Sequence, residues 1–221
     1  MDYSWVTFDF VKATWWVIPI VILMSLIKTP WFKGLWGEIL VKIIARWRLP
    51  AEIYRPVHNV TLPTTDGSTQ IDHVFVSAFG VFVVETKNMR GWIFGSERYS
   101  HWTQKIYRKS FKFQNPLRQN YKHAKALQRV LDLPDEHIHS VVVFVGEAIL
   151  KTKMPPNVTK GVGYISYIKS FTQPVLSEEG VNECVRKIQS ARFSPSRETN
   201  RQHIYRLKCR SEYTADRKCQ K

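Results

Sequence analysis

Asp72, Glu85 and Lys87 fall in two β-branched, aromatic-rich runs, Ile71–Ser77 and Val81–Lys87, joined by Ala78-Phe79-Gly80. The linking tripeptide suits a tight hairpin. Asp72, near the start of one strand, then shares the end of the sheet away from the turn with Glu85 and Lys87. The two-residue strand period puts Glu85 and Lys87 on one face, with Thr86 turned the other way. Two carboxylates and an ammonium therefore converge beside Val, Phe and Ile. An ionised carboxylate there is costly unless it is paired or holds a metal. Two such groups on adjacent strands repel each other, and a divalent cation relieves the repulsion. The cation would polarise a phosphoryl oxygen and lower the pKa of bound water. A nearby lysine would steady the attacking water or the developing phosphate charge. The same spacing also suits a plain ion pair, Glu85–Lys87 or Asp72–Lys87, capping a strand end.

The elements that must position these groups are legible on both sides. Gly34–Trp47 reads as a helix, with Leu35, Ile39, Ile43 and Trp47 at four-residue steps and Leu40 and Ile44 widening the stripe. Ile53–Leu62 alternates loosely and ends in a Pro-Thr-Thr-Asp-Gly turn cluster, as a strand would. The two hairpin strands are apolar on both faces, which marks the middle of a covered sheet. Asn115 and Pro116 form a helix start, and Leu117, Tyr121, Ala124, Leu127 and Leu131 trace its apolar face. Ser140–Val145 reads as a buried strand, Gly163–Ile168 as another, and Glu178–Phe193 as a last helix. The order predicts an α/β fold, a mixed β-sheet flanked by helices.

Several motifs occur in register with this order: Gly37-Glu38, Gln70-Ile71-Asp72-His73, the run from Gly80 to Glu85-Thr86-Lys87-Asn88, Gly91, Trp102 and NPLRQNYKHAKAL. Together they resemble the nuclease-related domain (NERD) family over roughly Leu35 to Phe144. The resemblance implies a restriction-endonuclease-like core of the PD-(D/E)xK type. It implies Asp72, Glu85 and Lys87 as the metal-binding and catalytic core, with Glu38 a further acidic ligand and Mg²⁺ or Mn²⁺ the ion. It also implies a supporting role for Gln119, since related nucleases place a glutamine at this helix position. His123 lies four residues further on the same helical face. It either contacts phosphate or packs. His73 reads as a core or supporting histidine.

From Arg98 to Arg129 the chain carries nine Lys or Arg residues and no acid. Arg98, Lys105, Arg108, Lys109, Lys112, Arg118 and Lys122 are interleaved with Trp102, Tyr107, Phe111, Phe113 and Tyr121. Basic groups grip phosphates and aromatic rings stack on unpaired bases, so the stretch reads as a nucleic-acid track, DNA favoured over RNA. A loop attracted to anionic lipid would carry the same lysines. The formal net charge of +15 on 221 residues agrees with either polyanion. Cys184, Cys209 and Cys219 are too few and too spread for a disulfide framework or a zinc knuckle.

Residues 13–32 are mostly apolar, with tryptophans at both ends, and read as a transmembrane helix of about 20 residues. Lys28, Lys33, Lys42, Arg46 and Arg48 follow against Glu38 alone, which places the following domain in the cytoplasm. The expected organisation is a short tail (1–12), the span (13–32), the nuclease-like domain (33–193) and a basic tail (194–221). The function expected of it is membrane-anchored, metal-dependent hydrolysis of phosphodiester bonds in DNA. The alternative is a non-catalytic nucleic-acid-binding or interaction module on the same fold.

Overall fold

A computed structural model describes residues 14–27, 29–64 and 67–193. The expected tails, 1–12 and 194–221, lie outside the described residues. The architecture is a mixed α/β fold with two mixed sheets flanked by helices.

The larger sheet has the order β1-β2-β3-β7-β9. Strands β1 (Arg55–Thr64), β2 (Gly67–Ser77) and β3 (Gly80–Asn88) form an antiparallel meander. Strands β7 (Ile138–Val145) and β9 (Val158–Lys160) continue it in parallel. The β2–β3 turn closes through Gly80, whose φ of 122° is open to glycine alone. A β-carbon there would also stand 2.8 Å from the His139 ring.

Strand β3 is the centre, covered on both faces as its composition requires. On one side, helix α3 (Pro116–Leu131) and helix α5 (Glu178–Ala191) pack Leu127, Leu131, Val181 and Ile188 against Val74, Val76, Val81 and Val83. On the other, helix α2 (Pro30–Arg48) and helix α4 (Gly163–Lys169) pack Val41, Ala45, Tyr164 and Ile168 against Phe75, Phe82, Val84 and Val143.

The strand pair β1–β2 changes phase in its middle. Val57 pairs with Val74 and Val60 with Ile71, and all four belong to one core. Unbroken alternation would send the second pair to the opposite face. The switch occurs where Asn59 (φ 52°) lies opposite Asp72.

The smaller sheet, β6-β5-β4-β8, comprises β4 (Gly91–Phe94), β5 (His101–Ile106), β6 (Lys109–Gln114) and β8 (Ala148–Leu150). Its inner face sets Ile93 and Trp102 against Val142 and Phe144, with the Trp102 and Phe144 rings stacked 6.1 Å apart.

Four features depart from the sequence reading. The stretch around Lys105–Lys112, to which the sequence assigns no strand, is part of a sheet; its short strands carry too few apolar residues to announce themselves. Gly163–Ile168 is helical, because Tyr164, Ile165 and Ile168 bury one face at helical spacing despite their β-favouring side chains. The apolar stripe of α2 is turned outward: Leu35, Ile39, Leu40, Ile43 and Trp47 are exposed, while Gly37, Val41, Ala45 and Leu49 face the sheet. A small-residue face lets the helix lie close, and close approach decided the orientation.

The fourth is the expected transmembrane helix over 13–32. Helix α1 spans Val17–Ile27, and a new helix starts at Pro30 with Thr29 as its cap, accepting from the Phe32 N–H at 3.3 Å. Eleven residues at 1.5 Å each cover about 16 Å, against roughly 30 Å of hydrocarbon. Among the described residues no helix is long and apolar enough to cross a membrane.

Candidate active site

The phase change that interrupts β1–β2 leaves Asp72 at a point where β2 and β3 part. The ladder runs from Ser77–Gly80 to His73–Val84 and stops. Beyond it the Asp72 carboxylate replaces a strand partner: the Thr86 N–H donates to Asp72 Oδ2 at 2.8 Å. This bond fixes Asp72 beside Glu85, at the shared end of the hairpin that the strand period predicts.

Glu85 is 3% exposed. Lys87 lies two residues on, and its ammonium donates to Glu85 Oε1 at 2.6 Å and to Gln119 Oε1 at 3.0 Å. Gln119 is brought there by α3, whose start is set by Asn115. The Asn115 side chain accepts from the Leu117 N–H at 2.9 Å and donates to the Tyr99 carbonyl at 2.7 Å.

His123, one turn beyond Gln119, is buried. Its Nε2 stands 3.3 Å from Glu85 Oε2, and its Nδ1 is 2.6 Å from the Thr69 hydroxyl. The ring is thus set between the Thr69 hydroxyl and the Glu85 carboxylate. The contact is electrostatic, since Glu85 Oε2 makes no well-aligned hydrogen bond. His123 therefore belongs with the carboxylates and not with the surface track.

Glu38 arrives from the other side of the sheet end. Gly37 permits this: a β-carbon there would lie 2.7 Å from Cβ of Asn88, at the end of β3. The Asn88 side chain then donates to the Lys33 carbonyl at 2.6 Å, holding α2 in place.

The three acids feel one another. Burial, then the Glu85 charge, pushes the Asp72 carboxyl well above its ordinary 3.8; Glu38 adds to the shift, while the Thr86 N–H and Lys87 oppose it. Burial and Glu85 likewise raise Glu38. Burial also works against the Glu85 anion, but His123 and Lys87 outweigh it and hold that carboxyl below 4.5. One buried anion is thus secured by cations and donors, and two neighbouring acids are destabilised as anions.

Among the described residues no group of three His, Cys, Asp or Glu is close enough to enclose a metal ion. The donor chemistry nevertheless fits a divalent cation. Asp72, Glu85 and Glu38 carry hard oxygen donors, and a divalent cation beside them would relieve their mutual repulsion.

Arg98, Lys105, Arg108, Lys109, Lys112, Arg118 and Lys122 are all exposed. They lie on the smaller sheet, its loops and the first turns of α3, and among the described residues none pairs with an acid. Arg118 is partly engaged, donating to the Arg98 carbonyl at 2.7 Å.

Two supports escaped the sequence reading. Asn120 is fully buried, and its amide reaches the Val83 carbonyl at 2.8 Å and the Val141 carbonyl at 2.9 Å, tying β3 to β7. Thr69 orients His123. The available signal lay in α3, where Asn120 and His123 occupy the same stripe as Leu127 and Leu131. Polar residues in an apolar stripe demand buried partners. His73, read as a supporting residue, is buried with its Nδ1 2.9 Å from His58 Nδ1. Burial holds these rings neutral, at about 3 for His73 and about 4 for His58.

The nuclease-related domain family model matches residues 33–145. A Bacillus anthracis protein described as uncharacterized is 38% identical over 189 residues, 82% of this chain and 88% of the relative. No solved structure matches the chain.

Proposed function

The chain belongs to the nuclease-related domain family, and from that premise we propose that it hydrolyses phosphodiester bonds in DNA, assisted by Mg²⁺ or Mn²⁺. One observation carries the reading. The Lys87 ammonium is held between Glu85 and Gln119, at 2.6 and 3.0 Å, beside the half-buried carboxyl of Asp72. Asp72 and Glu85 would hold the cation, with Glu38 completing the acidic set. A bound ion would supply charge neutralisation at the phosphoryl group and a more acidic water.

The protein's own share of the work follows from its contacts. Gln119 and Glu85 fix the direction in which Lys87 points. Lys87 then orients the water whose oxygen bonds to phosphorus as the ester P–O bond breaks, and it offsets the charge growing on the phosphoryl oxygens. His123 keeps Glu85 ionised and in place. The exposed basic residues hold the backbone by charge, without base readout.

The test is incubation of the purified protein with circular and linear DNA in Mg²⁺, in Mn²⁺ and in EDTA. Cleavage in either metal and none in EDTA is the expected result. Binding without turnover in any metal would favour the non-catalytic module. That second reading draws on the engagement of both Glu85 oxygens by Lys87 and His123.

We further propose that the domain works at a membrane surface, on the cytoplasmic side. Helix α1 and the turn before it expose Trp15, Trp16 and apolar side chains from Val17 to Met24, and α2 exposes Trp36, Ile39, Ile43 and Trp47 amid Lys33, Lys42 and Arg46. Apolar and basic groups on one surface suit the boundary between headgroups and acyl chains. The protein is expected to float with vesicles containing anionic lipid, less so with neutral ones. Recovery in the protein-only fraction with both would dispose of the membrane proposal.

A further inference from the structure

The smaller sheet has an outer face that the catalytic arrangement does not use. Strand alternation sends Ile93 inward, where it is 0% exposed, and Trp92 outward, where it is 43% exposed. Trp92 pairs with Lys105 on β5 and with Ile149 on β8, so all three side chains stand on the outer face. The Lys151 ammonium is 4.7 Å and that of Lys105 5.9 Å from the Trp92 ring centroid. Trp92 and Lys105 line a cavity of about 520 Å³, with Arg90, Tyr107 and a single acid, Glu147.

The cavity has a fixed floor. Gly91 (φ 78°) brings its backbone so close to the Lys105 carbonyl that a β-carbon would lie 2.5 Å from that oxygen. The Gly91 N–H donates to the Glu147 carbonyl at 3.1 Å, joining the floor to the chain that leaves β7. The site also adjoins the catalytic strand: from Lys87 only Asn88, Met89 and Arg90 intervene before β4.

We infer that this face is a stacking subsite for an unpaired nucleic-acid base, with Trp92 as the platform and Arg90, Lys105 and Lys151 as the phosphate contacts. The inference rests on the nuclease reading above and narrows its substrate to DNA with a single-stranded stretch. An exposed indole ringed by cations matches the two halves of a nucleotide. The base offers a flat π surface to the ring, and its phosphates offer the lysines a better partner than the ring does. A base inside a duplex has both faces covered by its neighbours and cannot stack on Trp92. The subsite therefore discriminates between strands and duplex, which the basic charges alone do not.

The test is binding of the full chain, measured by fluorescence anisotropy in EDTA. Three labelled ligands are compared: a single strand, the same strand with abasic positions, and a blunt duplex. Trp92→Ala is expected to weaken single-strand binding about 5- to 100-fold and duplex binding by less than about twofold. Trp92→Phe should recover most of the loss, and the abasic strand should bind the wild type as weakly as the intact strand binds Trp92→Ala. Lys105→Ala should weaken strand and duplex alike. Equal losses on strand and duplex for Trp92→Ala, or no loss on either, would overturn the stacking subsite while leaving the nuclease reading intact. A wild type that binds none of the three ligands would overturn both.

Discussion

Lys87→Ala is expected to lower phosphodiester cleavage by about 10²- to 10⁴-fold, the range associated with removing one group that acts in the transition state. The reason lies in how the ammonium is held. Glu85 Oε1 at 2.6 Å and Gln119 Oε1 at 3.0 Å take two of its three N–H donors, and its charge reaches Asp72. A shortened side chain removes the charge and the donor together. It also leaves Glu85 buried with His123 as its remaining counterpart, which costs stability. Lys87→Gln separates the two effects, since a neutral amide keeps a donor near Glu85 but carries no charge. Both variants should show that loss of activity, and Lys87→Gln should melt closer to the wild type. The measurement is initial cleavage rate beside a circular-dichroism melt. Wild-type rates in a folded Lys87→Ala protein would remove the lysine from the mechanism.

Asp72→Asn is expected to abolish cleavage and to raise the melting temperature by about 2–8 °C at neutral pH. The rise corresponds to roughly 1–2 kcal/mol. Burial and the charges of Glu85 and Glu38 push the Asp72 carboxyl well above 3.8. Its ionised form therefore opposes folding. The contribution of this group to stability is complete below the unfolded value and is lost as pH rises through the folded one. Asparagine resembles the protonated acid: its oxygen can still accept from the Thr86 N–H, and its amide offers donors to neighbouring carboxylates. The gain over wild type should shrink as pH falls and Asp72 protonates. Glu85 has the opposite sign, because its carboxyl is held below 4.5; its stabilisation is present above that value and lost on acidification. Mg²⁺ offers a readout apart from activity. It should raise the melting temperature of the wild type and not that of the variant, since a ligand stabilises only the state that binds it. A variant no more stable than wild type, with an undiminished Mg²⁺ shift, would sever Asp72 from the metal.

The contrast between these two residues also explains what the sequence could convey. The spacing of Glu85 and Lys87 on one strand face, the hairpin at Gly80 and the capped start at Asn115 were legible in the sequence. Each depends on residues two to four positions apart, where the backbone period alone fixes direction. The same locality let the motifs from Gly37-Glu38 to NPLRQNYKHAKAL carry the family. Nothing local could show that His123 faces Glu85, that Asn120 ties β3 to β7, or that β1 and β2 change phase where Asn59 meets Asp72. Those features join segments distant in sequence and exist only once the strands pair and α3 packs on the sheet. Packing likewise overruled pattern in α2, where the small face carrying Gly37 and Ala45 turned inward and the larger apolar stripe was left outside. A helix approaches a sheet by the face that lets the backbones come nearest, and that choice depends on the partner's surface as much as on the helix itself.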